Sequence, residues 1–120
     1  MKDDRPYLRL MLRRCKSISR FINTGKDGFM ATEDSQYAVI GSIEMIGWLA
    51  KYISPQSRSQ LADLNWERIC GMRDILIHHF HLEHGWDLEE VWGVASERVP
   101  ELDSALERFL AQPAITPSSK

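Results

Sequence analysis

Near the start of the chain, Leu8, Met11, Leu12, Cys15, Ile18 and Ile22 recur at spacings of three and four, the period of one helical face. Pro6 suits the first turn of that helix, and Asn23, Thr24 and Gly25 predict its end, with a loop over Lys26 to Gly28. A second helix is expected from the capping residues between Thr32 and Ser35. It carries Val39, Ile43, Ile46, Ala50 and Ile53 at spacings of four, three, four and three, and stops at Ser54 and Pro55. Gln56 to Gln60 reads as a polar connector with a short helical turn. A third helix follows from Asn65 through Phe80, with Trp66, Ile69, Cys70, Leu76, Ile77 and Phe80 on a broad apolar face. After a turn through His81 to Trp86, Asp87 caps a fourth helix bearing Leu88, Val91, Trp92 and Ala95. Val99 and Pro100 open a last one with Leu102, Ala105, Leu106, Phe109 and Leu110, and Gln112 to Lys120 reads as a flexible tail. With no strand pattern and no internal repeat, the expected fold is all-α, an antiparallel bundle of four to five helices.

The 120 residues suit one domain over 1–120, and an apolar fraction of 43% beside 27% charged residues is that of a chain able to bury a core. Gly41 and Gly47 each weaken the second helix by about 1 kcal/mol, a cost tolerated where another helix must come close. No apolar run approaches the roughly 20 residues of a membrane span, and the basic residues of the first helix interrupt any signal-peptide core. Cys15 and Cys70 lie far apart and suggest neither a disulfide framework nor a cysteine zinc site. A cytoplasmic protein is therefore expected.

Charge changes the picture by its position. The net charge of −2 argues against general affinity for duplex DNA. Yet the first twenty residues carry Lys2, Arg5, Arg9, Arg13, Arg14, Lys16 and Arg20 against Asp3 and Asp4. Residues 83–107 carry Glu83, Asp87, Glu89, Glu90, Glu97, Glu101, Asp103 and Glu107 against Arg98 alone. One end can attract phosphate and the other can receive a basic partner.

The chemistry concentrates in Gly71-Met72-Arg73-Asp74-Ile75-Leu76-Ile77-His78-His79-Phe80, where ionisable side chains interrupt an apolar helix. At about 100° per residue Asp74 and His78 share a face, so the carboxylate can orient the imidazole. Arg73 and His78 stand about 140° apart and meet at one phosphate only if the helix end is irregular or a second chain brings its own copy alongside. An Arg that holds phosphoryl charge and a His that moves a proton are a competent pair for phosphodiester cleavage. The bland alternative is a helix-end histidine beside a structural ion pair, and spacing alone leaves both open.

The run Trp66-Glu67-Arg68-Ile69-Cys70-Gly71-Met72-Arg73-Asp74-Ile75-Leu76-Ile77-His78-His79-Phe80, followed by Asp87-Leu88-Glu89-Glu90-Val91-Trp92, closely resembles the HepT-like branch of the HEPN domains. Ala38 to Lys51 resembles the second helix of that family, and Leu102 to Leu110 its closing segment. The resemblance covers about residues 7–111. It implies an all-helical homodimer, a toxin of a toxin–antitoxin pair that cuts RNA without a metal or other cofactor, and a minimal nucleotidyltransferase antitoxin as partner. By position Arg73 and His78 match the catalytic pair, Asp74 stands where asparagine is commonest, and Glu44 matches a glutamate of the second helix. The chain departs from the pattern in two places. Phe80 stands at the motif tyrosine that the antitoxin modifies in some members, so it offers no hydroxyl there, and the turn from His81 to Trp86 is longer than usual. The phenylalanine keeps a second reading alive, a non-catalytic HEPN module that binds a nucleotidyltransferase partner or a nucleotide.

Weaker signals take their weight from that motif. Arg5, Arg9, Arg13, Lys16 and Arg20 form a basic stripe on the first helix, either an RNA backbone track or a solvated face. His78, His79, His81 and His84 are clustered but lack a completing cysteine or carboxylate, so no metal site is expected. Trp48, Trp66, Trp86 and Trp92 read as core and interface packing, with Trp86 in the lengthened turn the best candidate for stacking on a base.

Overall fold

The computed structural model describes residues 3–78 and 80–113. It is all-helical in its regular elements, as the pattern predicts, and HEPN-like in their order. Helix α1, Arg5–Ile22, buries Leu8, Met11, Cys15 and Ile18 completely, while Leu12 and Ile22 flank them half-buried. Helix α3, Glu33–Ala50, buries Val39, Ile43, Ile46 and Ala50, and Ile53 is buried just beyond its end. These periodic positions make the seam between α1 and α3, the most extensive helix contact of the described fold.

The two helices run in opposite directions. At one end the buried carboxylate of Asp4 accepts hydrogen bonds from the backbone N–H and hydroxyl of Ser54, and Tyr7 stacks on Tyr52 at 5.6 Å. At the other end a short helix α2, Lys26–Ala31, links them and plugs the fully buried Phe29 into the core. The sequence pattern predicts a loop over Lys26 to Gly28. The chain is helical there because Gly25, at φ 91°, turns the backbone sharply enough for a new helix to start, and Phe29 gives that helix an apolar anchor.

Helix α4, Pro55–Gln60, realises the expected turn in the connector, capped by the Ser54 hydroxyl accepting from Ser57 N–H. The third predicted helix is broken. It divides into α5, Trp66–Cys70, and α6, Met72–His78, at Gly71, and α6 stops before Phe80. Asn65 caps α5 by accepting from Arg68 N–H. Asp87 caps α7, Leu88–Gly93, by accepting from Glu90 N–H, as its position predicts. A π-helical turn, Val94–Arg98, then joins α7 to α8, Val99–Ala111, so the last two predicted helices form one nearly continuous rod. Helix α8 also runs antiparallel to α1: Arg5 bonds the carbonyls of Leu110 and Gln112, and Lys16 pairs with Asp103. Among the described residues, no helix is long and apolar enough to cross a membrane. Of the expected tail at 112–120, residues 114–120 lie outside the described residues.

One buried group makes stability sensitive to alkali. Burial pushes the Cys15 thiol up to about 12 from its ordinary 9.0, and the nearby Asp103 carboxylate adds to the rise. Above about pH 9 the unfolded chain releases this proton while the folded chain keeps it, so the contribution is complete below that pH and is lost progressively towards the folded value. Urea unfolding should therefore show wild type losing more stability than Cys15→Ala between about pH 8 and about pH 10.5. Equal slopes for the two proteins would show that Cys15 does not titrate differently on folding.

Candidate functional site

Arg73, Asp74 and His78 all lie on α6, and all three side chains are exposed. The helix is fastened by Met72 and Leu76, which are buried in the core, so its opposite side faces outward. Its position against α3 is set by Gly47. A methyl group at that residue would sit 3.3 Å from the Arg73 backbone nitrogen and 3.4 Å from the Ile69 carbonyl oxygen. The absence of a side chain lets the two helix backbones come together there. Of the two glycines flagged in the sequence, Gly47 serves this approach, whereas nothing lies within 4 Å of a Cβ built on Gly41.

The result is an open groove of about 510 Å³ lined by Gly41, Glu44, Met45, Trp48 and Arg73. Glu44 and Arg73 thus line one space, with no ion pair between them among the described residues. Of the large apolar side chains left in solvent, Met45 and Trp48, the latter at 45% exposure, line the groove, and Tyr52 packs edge-on against Trp48; Tyr37 at 58%, Ile77 and Phe80 are exposed elsewhere on α3, α6 and the following turn. Met45, Trp48 and Tyr52 were not singled out beforehand as site residues, apart from the general packing role of the tryptophans. Their signal was present in the sequence: α3 carries a second apolar row opposite the Val39 to Ala50 row, more than one bundle partner can cover.

Asp74 and His78 are one helical turn apart, yet no hydrogen bond or ion pair joins them among the described residues. Beyond α6, His81 and Gly85 exchange backbone hydrogen bonds of 2.9 and 2.6 Å and close the lengthened turn, with Gly85 at φ 73°. Phe80 packs edge-on against Trp86, centroids 4.8 Å apart. The motif phenylalanine therefore holds the turn against the end of α6. The rings of His81 and His84 lie 6.4 Å apart, and no group of three potential metal ligands occurs among the described residues. His79 lies outside those residues.

The basic stripe divides. Arg5 is committed to the two carbonyls at the end of α8 and lies over the Phe109 ring at 5.7 Å, and Lys16 is paired with Asp103 at 2.9 Å and Glu107 at 3.2 Å. These carboxylates raise the Lys16 pKa. Arg9, Arg13 and Arg20 remain exposed. The physical reason is that α8 lies along α1, so part of the acidic end of the chain answers the basic one within the fold. Lys26 with Glu89, 2.7 Å apart, does the same between α2 and α7.

The fold and site thus define a small helical bundle that exposes an Arg and a His, five residues apart on α6, with the Arg lining an open groove. The family model described as "Ribonuclease HepT-like" matches residues 11–109, and the chain belongs to that ribonuclease family. A protein of Caldanaerobacter subterraneus subsp. tengcongensis named "Putative RNase" is 30% identical over 92% of this chain and 96% of its own length. One of the same description from Methanocaldococcus jannaschii is 32% identical over 82% of this chain and 80% of its own. The "Probable ribonuclease HepT" of Thermococcus cleftensis is 29% identical over 69% and 73% of the two chains. No solved structure matches.

The close approach at Gly47 can be tested directly. Gly47→Ala should destabilise the fold by about 1 kcal/mol or more, because backbone atoms of α5 and α6 cannot move aside independently. Gly93→Ala, where a Cβ meets nothing within 4 Å, should be neutral or stabilise by up to about 1 kcal/mol. Chemical denaturation of the two variants reads both, and an unaffected Gly47→Ala protein would mean that α6 is not seated by this contact.

Proposed function

We propose that this chain is the endoribonuclease toxin of a toxin–antitoxin pair, cutting RNA without a metal ion at a cleft completed by a second copy of itself. What supports the reading is that Arg73 and His78 are both exposed on α6, with Arg73 lining the α3 groove, in a chain of a ribonuclease family. In this chemistry the RNA 2′-oxygen attacks the adjacent phosphorus, and His78 takes or returns the proton. Arg73 holds the non-bridging oxygens as their charge grows. The bond from phosphorus to the 5′-oxygen breaks, leaving a 2′,3′-cyclic phosphate on one strand and a 5′-hydroxyl on the other.

The dimer follows from two features. Arg73 and His78 project about 140° apart on one helix, so a composite cleft is the simplest way to bring an Arg and a His to one phosphate. The exposed Met45 and Trp48 in the groove beside Gly41 offer an apolar surface with room for close approach. Asp74, which makes no bond to His78 within one chain, takes up its orienting role when the cleft is assembled. Arg9, Arg13 and Arg20 supply phosphate contacts, while Arg5 and Lys16 serve mainly to bind α8. A minimal nucleotidyltransferase antitoxin of complementary charge meets, in the cytoplasm, either the remaining acidic surface of Glu83, Asp87, Glu97 and Glu101 or the basic face of α1. The non-catalytic alternative rests on Phe80 alone, which packs on Trp86 in place of offering a hydroxyl.

His78→Ala and Arg73→Ala should each reduce RNA cleavage by about 10²-fold or more with the fold retained by circular dichroism, and His79→Ala, outside the motif spacing, should do much less. Substituting the 2′-hydroxyl at the cut site by hydrogen should stop cleavage and a chelator should not. Cleavage of the deoxy-substituted RNA, or its loss on chelation, refutes the mechanism. Light scattering at micromolar concentration should give a dimer, and a monomer refutes the composite cleft.

A further inference from the structure

A second hollow, of about 130 Å³, lies farther along α3 between its first two turns and the His81 to Trp86 turn. Its lining includes Glu33, Tyr37, His84 and Trp86. Tyr37 is exposed, and Trp86 is half-buried and braced from behind by Phe80. The amide of Gln36, which also borders the hollow, is spent on the carbonyls of Phe29 and Met30 and acts as part of the wall. Glu33 and His84 line the hollow on its exposed side and make no hydrogen bond or ion pair among the described residues.

From this arrangement we infer that the hollow is a subsite for one unpaired guanine base of the RNA strand. The inference rests on the RNA-cutting reading for its ligand class. Aromatic side chains on a fixed framework are the usual platform for a splayed-out base. A carboxylate at the mouth repels the phosphate backbone and accepts hydrogen bonds, so it favours a base edge that presents N–H groups. The Watson–Crick edge of guanine offers two adjacent donors, N1–H and the N2 amine, which a single carboxylate accepts together, and a neighbouring O6 that a histidine N–H can reach. Uracil offers one donor on that edge, and adenine pairs its amine with an acceptor at N1. The groove residues of α3 centre about eight positions beyond those of the hollow, an axial separation of about 12 Å. At roughly 3.4 Å per stacked nucleotide, this places the recognised guanine within about three to four nucleotides of the phosphate held at Arg73.

The test separates base recognition from cleavage. Fluorescence anisotropy of the full-length protein with short 2′-O-methyl oligouridines, which this chemistry cannot cut, measures binding with one central base varied. Guanine should bind about tenfold more tightly than adenine, and inosine, which lacks the N2 amine, should lose most of that advantage. Glu33→Gln should abolish the guanine preference without weakening the all-uridine strand, and Tyr37→Ala should weaken all bases alike. Trp86→Ala should do the same, but it removes the partner of Phe80, so the exposed Tyr37 is the cleaner variant. Equal binding of guanine, inosine and adenine, or a guanine preference that survives Glu33→Gln, overturns the subsite even if the protein cuts RNA. A guanine preference that vanishes with Glu33→Gln sustains it even if His78→Ala shows that the cleavage chemistry lies elsewhere.

Discussion

The backbone-to-backbone approach of α3 and α6 at Gly47 governs how the helix that carries Arg73, Asp74 and His78 is seated on the bundle. Helix α3 is held by α1 along its Val39, Ile43, Ile46 and Ala50 row, so it serves as the fixed member. Helix α6 is only seven residues long and could not persist alone. It is stable because Met72 and Leu76 enter the core while Gly47 admits its backbone. Anchored on that side, α6 turns Arg73, Asp74 and His78 to solvent.

Electrostatics divide the same surface into parts with different roles. Charges that look free in a linear reading are partly consumed where α1 meets α8 and where α2 meets α7. Exposed pairs of this kind add little stability, typically below about 1 kcal/mol each. Their larger consequence is to narrow the basic stripe to Arg9, Arg13 and Arg20. The Asp4 to Ser54 bonds, with a buried carboxylate, tie the start of α1 to the end of α3 and fix the far end of the bundle.

Phe80 links the motif to its surroundings. A tyrosine at this position would carry a polar tip, whereas phenylalanine packs wholly through its ring against Trp86. The lengthened turn is thereby docked on the end of α6, and a hollow forms between it and α3. Phe80 and the turn are thus one structural feature.

The helical class, the core faces of α1 and α3, and the cap at Asp87 were legible in the sequence, because three-and-four periodicity and capping are local properties of a helix. The Arg-x4-His motif was legible as residues and spacing. Tertiary structure decided what depends on partners distant in sequence. It placed Phe29 in the core, making a helix where glycine-rich polarity suggested a loop, and broke the third helix at Gly71. It assigned close approach to Gly47 and open space to Gly41, although both look alike in the chain. It committed Arg5 and Lys16 to α8, set Trp86 on Phe80, and left Asp74 unbonded to His78. Periodicity fixes which face of a helix is apolar, but only packing determines which neighbour covers it and which charges remain free.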